Sequence, residues 1–144
     1  MKAPTTKPAT AGYSSTPLAR KLGITEGTQL LARQAPDHYR EWLEPLPDKV
    51  IFARRLSAAI DVIHLFVTQK STLQRELSAL RESIRPDVAV WVSWPKKTAK
   101  LPTDITEHTI REVALPLGFV DVKVCAVTEA WSGLKLVIRK ALRG

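Results

Sequence analysis

The side chains best suited to chemistry in this sequence are cations that follow buried, strand-like segments. With them come one imidazole, one hydroxyl and one indole, and the candidate ligand-binding residues are His38, Arg54, Arg55, Lys70, Ser93, Trp94, Lys96 and Lys97. Guanidinium and ammonium groups bind phosphate and carboxylate oxygens, and an indole offers a flat stacking surface. The pattern therefore predicts a site for an anionic small ligand, such as a phosphorylated metabolite.

The same residues offer no recognisable catalytic or metal-binding motif. The histidines His38, His64 and His108 lack the i, i+4 spacing of a metal site, and Cys125 is the single cysteine. Ser93 is not in a Gly-X-Ser-X-Gly elbow. We therefore predict no catalytic residues, no metal and no cofactor, and interpret the chain as a binding protein in preference to an enzyme.

Several of these residues also have a purely structural interpretation. His64 lies inside an apolar strand and is predicted to be a hydrogen-bonded core residue, with Trp91 also in the core. Cys125 is interpreted as a packing thiol. Trp94 is predicted to lie in a loop, where its ring either caps a strand or belongs to a partner surface. The cations themselves are alternatively ordinary polar loop residues around an empty site, because no Gly-rich phosphate loop accompanies them.

Strands and helices alternate along the chain and would position these residues. Apolar runs predict strands at 28–34, 50–53, 60–67, 88–93, 119–127 and 134–140, the second of them covered on both faces. Helices are predicted at 17–22 and 37–43. Two more are predicted to start at Ser71, which would form a capping box with Gln74, and at Asp104, which would pair with Glu107 by the same capping logic. This alternation predicts a three-layer α/β fold with a mostly parallel sheet and a C-terminal antiparallel hairpin. In such sheets ligands bind at the carboxyl ends of the strands, where the cations lie.

Length and charge limit the remaining possibilities. The 144 residues carry 22 Lys and Arg against 14 Asp and Glu, a net charge of +8. Residues 1–15 are predicted to be a flexible tail and residues 16–144 a single α/β domain. The chain lacks a signal-like N-terminus and an apolar run of about 18 residues, so we expect a cytoplasmic protein without membrane contact.

A pI near 9.9 and the bases of Lys135–Gly144 keep nucleic acid open as a partner, although the bases form no continuous arm.

Three stretches of the sequence resemble a known protein group. They are Gly12-Tyr-Ser-Ser-Thr-Pro-Leu-Ala19, Val90-Trp-Val-Ser-Trp-Pro-Lys-Lys97, and Val122-Lys-Val-Cys-Ala-Val127 with Trp131-Ser-Gly-Leu-Lys-Leu-Val-Ile-Arg-Lys140. These look like a family of small bacterial proteins described only as a domain of unknown function. The resemblance spans nearly all of residues 12–142 and implies no activity.

The order of elements also resembles a shortened class I methyltransferase. Gly118-Phe119 leads into the fifth predicted strand as a Gly-Phe pair often leads into that family's sixth strand, and an antiparallel strand ends the chain. The resemblance implies a Rossmann-like fold. It also implies a Gly-rich turn after the first strand and an acid after the second, to hold the methyl donor. Here the turn Arg33-Gln-Ala-Pro-Asp-His38 has no glycine, and Arg54-Arg55 replaces the acid.

Three functions follow as hypotheses. The first is a non-catalytic binding or interaction module on a methyltransferase-like scaffold, holding an anionic small ligand or a protein partner. The second is a divergent enzyme that uses a methyl donor or a nucleotide. The third is a basic protein associated with nucleic acid.

Overall fold

The computed structural model describes residues 16–143, so the predicted tail lies outside the described residues. Four helices are formed by α1 (Leu18–Lys21), α2 (Tyr39–Trp42), α3 (Lys70–Ser83) and α4 (Glu107–Leu117). Six strands are formed by β1 (Gln29–Arg33), β2 (Ile51–Phe52), β3 (Val62–Phe66), β4 (Ala89–Pro95), β5 (Phe119–Ala126) and β6 (Trp131–Ile138). Short 3-10 turns occupy Lys97–Ala99 and Lys140–Leu142.

The strands form one mixed sheet in the order β2-β1-β3-β4-β6-β5. Strands β2, β1, β3 and β4 are parallel, and β6 runs antiparallel between β4 and β5. This arrangement confirms the predicted α/β Rossmann-like fold with its C-terminal antiparallel hairpin. The chain leaves β1 toward one edge of the sheet and continues from β3 toward the other. The gap between β1 and β3 is therefore the topological switch point, where such sheets bind ligands.

Layers of helix and loop cover both faces of the sheet. Every residue of β3 is buried because this strand is central and covered on both sides. Ile63 and Leu65 pack into the cluster that contains Leu73 and Leu77 of α3. Val62 and Phe66 point to the opposite face and pack with α1 and α2. No helix in residues 16–143 is long and apolar enough to cross a membrane.

The second strand differs from the prediction. It contains only Ile51 and Phe52 and forms the edge of the sheet, and Ile51 is 51% exposed. The consecutive apolar residues indicated a strand covered on both faces, and that prediction is wrong. An edge position with a single neighbour removes the need for a continuous apolar run.

The helix caps also differ from the prediction. Helix α3 begins at Lys70, so its N-cap is Gln69, two residues before the predicted N-cap Ser71, and the Gln69 side chain forms no capping hydrogen bond. Its first backbone N–H, that of Lys70, donates instead to Asp104 Oδ1 at 2.7 Å. Helix α4 is capped by Thr106, which forms a capping box with Thr109. Asp104 therefore caps a neighbouring helix, which the sequence spacing did not indicate.

Two strands are longer than predicted. Strand β4 continues to Pro95 because Trp94 and Pro95 pair with Ser132 and Trp131 of β6. Trp94 is consequently a core residue that is 8% exposed, and its predicted loop position is wrong. Gly133 lies inside β6, where an added Cβ would come within 3.0 Å of Val127 Cγ2. Close packing therefore accounts for this glycine.

Candidate functional site

Three open clefts lie along the edge of the sheet where the parallel strands end. The β1–β2 cleft has a volume of about 420 Å³ and is lined by Ala32, Ala35, His38, Tyr39, Arg40, Glu41, Phe52 and Ala53. The switch-point cleft is about 330 Å³ and is lined by Gln34, Phe66, Val67, Thr68, Gln69, Thr72, Arg75 and Trp131. The β4 cleft is about 490 Å³ and includes Trp94, Lys96, Lys97 and Leu101.

The β1–β2 cleft combines an apolar floor with charged edges. Three alanines line it, and the short side chains leave the space open. The Arg40 guanidinium lies 4.0 Å from the centre of the Phe52 ring, a cation–π contact. Glu41 supplies a carboxylate, and its Oε1 is 3.3 Å from Nδ1 of the exposed His38. One side of this cleft is therefore flat and aromatic, and the other carries both signs of charge.

The turn after β1 reaches this cleft with an unusual backbone. Gln34 has φ +61° and His38 has φ +71°, so both occupy the left-handed region that normally favours glycine. The turn therefore adopts two glycine-type conformations without a glycine. The two side chains occupy space that a Gly-rich turn would leave free for a ligand, with Gln34 lining the switch-point cleft and His38 the β1–β2 cleft.

The structure separates the predicted ligand-binding residues instead of assembling them. Arg54 and Arg55 are exposed just after β2, while Lys96 and Lys97 follow β4. These strands are three positions apart in the sheet, which is about 14 Å at the usual strand spacing. Lys70 is the first residue of α3, and its Nζ lies 3.6 Å from Oε1 of Glu112 in α4. Lys96 and Lys97 line the β4 cleft, whereas Arg54 and Arg55 follow Ala53 of the β1–β2 cleft, so the cations are divided between two places on the sheet.

Ser93, another predicted site residue, is fully buried in a polar network. The Ser93 hydroxyl lies 2.7 Å from His64 Nε2, and His64 Nδ1 lies 2.7 Å from the Tyr39 hydroxyl. The prediction that His64 is a hydrogen-bonded core residue is confirmed. Burial lowers the pKa of His64 to about 3 and raises the pKa of Tyr39 far above its usual value. The imidazole and the phenol are therefore both neutral near pH 7.

This network has the residue types of a serine nucleophile and its base, but it lies out of reach of a substrate. Ser93 and His64 are 0% exposed, and Tyr39 is 5% exposed. An added Cβ at Gly133 would come within 3.4 Å of Ser93 Oγ, so the hydroxyl is also tightly packed. We therefore assign the three side chains to the core. No sequence pattern indicated a role for Tyr39, because these contacts join α2, β3 and β4.

The remaining reactive side chains are dispersed. Within residues 16–143, no group of three or more His, Cys, Asp or Glu side chains is placed to hold a metal ion. Cys125 is partly buried, and this burial raises the pKa of its thiol. A raised pKa keeps the thiol protonated and lowers its reactivity.

Known structures share this fold. A protein of Sulfolobus solfataricus assigned as a type 11 methyltransferase has a TM-score of 0.60 and 14% identity, over 85% of this chain and 90% of that one. A SAM-dependent methyltransferase from Aquifex aeolicus has a TM-score of 0.56 and 13% identity, over 85% and 88%. An S-adenosylmethionine-dependent methyltransferase from Clostridium acetobutylicum has a TM-score of 0.56 and 5% identity, over 83% and 87%. No protein-family model and no curated protein matches the chain.

These likenesses show a class I methyltransferase fold and leave the activity open. The residues of this chain do not fit the usual arrangement for the methyl donor. In the turn after β1, Gln34 and His38 carry side chains at the two positions with glycine-type backbone conformations. After β2, Arg54 stands where an acid would accept hydrogen bonds from the ribose hydroxyls. The one carboxylate lining the β1–β2 cleft comes from α2, at Glu41.

Proposed function

We propose that this chain binds a nucleotide in the β1–β2 cleft of a methyltransferase-like scaffold. The observation that carries the proposal is the chemistry of that single cleft. It combines small apolar residues with an aromatic ring, a carboxylate and the Arg40 guanidinium, and Arg54 and Arg55 directly follow its lining residue Ala53 in the chain. A nucleotide needs these same three kinds of partner for its base, its ribose and its phosphates.

The apolar part of the cleft suits the base. Ala32, Ala35 and Ala53 leave room for a flat ring to approach the ends of β1 and β2. Phe52 and the guanidinium of Arg40 are already stacked, and both groups stack well on heteroaromatic rings. A base inserted here would exchange water contacts for dispersion and stacking contacts.

The charged part of the cleft suits the ribose and the phosphates. Glu41 is exposed, with 75% of its side chain accessible. Its Oε1 contacts His38 Nδ1, and a carboxylate has further lone pairs that can accept hydrogen bonds from ribose hydroxyls. Arg54 and Arg55 follow Ala53 directly, and neither forms an ion pair with another described residue. Guanidinium groups bind phosphate oxygens in bidentate geometry, so these arginines favour an anionic nucleotide over a neutral nucleoside.

The likeness to methyltransferases supports a second candidate, a divergent enzyme that binds the methyl donor at the same edge of the sheet. In that case Glu41 would replace the missing acid as the acceptor of ribose hydroxyl bonds. The sulfonium and ammonium groups of the donor are cationic, and the arginines beside the cleft oppose them. For this reason we rank the nucleotide first.

Calorimetry with matched ligands tests the proposal. ADP, adenosine and S-adenosylmethionine share the adenosine group and differ in charge. We expect ADP to bind about tenfold or more tightly than adenosine, because phosphate bonds to arginine are charge-assisted. The double variant Arg54→Ala/Arg55→Ala should lose about tenfold in affinity for ADP. A control, Lys123→Ala/Lys140→Ala, removes the same charge from exposed positions elsewhere and should change the affinity by no more than about twofold.

The alternatives give different results. Tighter binding of S-adenosylmethionine than of ADP would support the methyl donor and overturn the nucleotide. Equal losses in the arginine variant and in the control would indicate attraction by net charge alone. No heat with any of the three ligands would remove both candidates.

A further inference from the structure

The β4 cleft is a second concave surface at the same edge of the sheet, separate from the proposed nucleotide site. Its charged rim is formed by Lys96 and Lys97, and Leu101, Trp94 and Ile105 line its apolar side. We propose that this cleft binds an amphiphilic anion, with a phosphate or carboxylate head on the lysines and a short apolar chain against Leu101.

The lysines of this cleft have no acidic partners among residues 16–143. The segment Ser93–Pro102 contains three lysines and no Asp or Glu. None of the three forms an ion pair with another residue in the described range 16–143, whereas Arg33, Arg85 and Arg111 all do. Like charges at short spacing repel one another, and an anion bound between Lys96 and Lys97 would relieve that repulsion.

The apolar side of the cleft is exposed to water at Leu101. Leu101 is 45% exposed, one of the few large apolar side chains of the described chain at the surface. It stands one residue after Lys100 and lines the same cleft as the core residues Trp94 and Ile105. An alkyl chain lying against Leu101 would remove apolar surface from water, at about 25 cal/mol for each Å² buried. The lysines and the apolar side of the cleft together favour a ligand that has both an anionic head and an alkyl chain.

The loop that forms the cleft is held at both ends before any ligand binds. At its start, the backbone N–H of Lys96 donates to the Ala130 carbonyl at 2.8 Å. At its end, the Thr103 hydroxyl donates to the Thr68 carbonyl at 2.7 Å, and Asp104 accepts from the backbone of Lys70. A loop that is already ordered loses less conformational entropy on binding, which favours affinity.

Three probes separate the parts of the proposed ligand. Octyl phosphate carries both the head and the chain, inorganic phosphate carries the head alone, and octanol carries the chain alone. We expect octyl phosphate to bind with a stoichiometry of about one in calorimetry, and each partial probe to bind about tenfold more weakly or worse. Binding equal to that of inorganic phosphate would overturn the role of the apolar wall.

Variants place the site. Lys96→Ala/Lys97→Ala should weaken octyl phosphate binding about tenfold, and Leu101→Ser should weaken it several-fold while leaving inorganic phosphate unchanged. The matched control Lys123→Ala/Lys140→Ala should retain affinity to within about twofold. Unchanged binding in the lysine variant would overturn the proposal. The substituted residues are exposed or half-buried, so a thermal unfolding midpoint close to that of the natural chain verifies folding.

A membrane lipid is the other source of such a ligand. A free amphiphile is the ligand that we propose, because the cleft has a volume of about 490 Å³ and is bounded by the ends of β4 and β6 and by the loop that follows β4. Sedimentation with phosphatidic acid vesicles, at the same phosphate concentration, distinguishes the two sources. Retention on vesicles without binding of monomeric octyl phosphate would contradict the proposal.

Discussion

At the scale of single residues, the buried network of Tyr39, His64 and Ser93 shows how polar groups enter this core. Both nitrogens of the imidazole have a partner at 2.7 Å. The ring of His64 also stacks on Phe66, with the ring centres 4.3 Å apart. A buried polar group without a partner would cost about 1–3 kcal/mol, so the three side chains depend on one another.

Ser93→Ala tests that dependence. The change leaves His64 Nε2 without its partner, and we expect the free energy of unfolding to fall by about 1–3 kcal/mol in urea denaturation. The matched control is Ser83→Ala, whose hydroxyl is exposed at the end of α3 and donates to the Ala79 carbonyl within the same helix. It should change stability by no more than about 0.5 kcal/mol. Equal effects of the two substitutions would contradict a buried network.

The depressed pKa of His64 predicts a pH dependence of stability. Its folded pKa is about 3 and its ordinary value is 6.5, so between these values the unfolded chain binds a proton that the folded chain does not. The contribution of His64 to the free energy of unfolding is therefore complete above pH 6.5 and decreases as the pH falls toward 3. Between about pH 7 and about pH 5, this residue should lower the free energy of unfolding by about 2 kcal/mol.

Urea denaturation at several pH values measures this cost. His64→Gln removes the titrating group and should remove this part of the slope. His108→Gln should keep it, because the His108 imidazole is 79% exposed. A slope that persists in His64→Gln would assign the effect to other groups.

At the scale of elements, the ends of helices are determined by contacts between distant segments. Ser71 and Gln74 have the spacing of a capping box, yet the first N–H of α3 bonds to Asp104, 34 residues away in sequence. The hydroxyls of Thr106 and Thr109 form the capping box of α4. A local pattern identifies a helix start approximately, but the docking of loops decides which side chain supplies the cap.

A pair of threonine and serine variants tests this assignment. Thr106→Ala should lower the free energy of unfolding by about 1 kcal/mol, because a capping hydroxyl is lost. Ser71→Ala removes the residue that the sequence pattern indicated, and it should change stability by no more than about 0.5 kcal/mol. Thermal or chemical denaturation of the two variants in parallel measures the difference. A larger loss in Ser71→Ala would favour the sequence-based cap.

At the scale of the whole molecule, the sheet order determines which cations can act together. The sequence predicts that Arg54, Arg55, Lys96 and Lys97 follow parallel strands, and in the structure the arginines follow β2 and the lysines follow β4. Strands β1 and β3 lie between the two strands that these pairs follow, and those strands are about 14 Å apart at the usual strand spacing. The basic character of the chain is thus divided between separate clefts, which is why we propose two ligands.

The single-domain prediction for residues 16–144 is tested by the cooperativity of unfolding. The six strands form one sheet, and Trp91, Trp94 and Trp131 lie within it. We expect the urea transitions followed by far-UV circular dichroism and by tryptophan fluorescence to coincide. Deletion of residues 1–15 should leave the transition midpoint unchanged if the segment is a tail. Separate transitions, or a lower midpoint after deletion, would contradict these expectations.

The sequence by itself determined the class of fold and the buried character of His64 and Trp91. Apolar periodicity and the alternation of strands and helices are local signals, and they are strong when a strand is central. The ends of β2, β4 and β6, the helix caps and the Ser93–His64–Tyr39 contacts were decided by tertiary structure. The sheet order alone separated the predicted ligand-binding residues into distinct clefts. The physical reason is that hydrogen-bond partners and strand neighbours are chosen among segments far apart in the chain, and no local pattern records that choice.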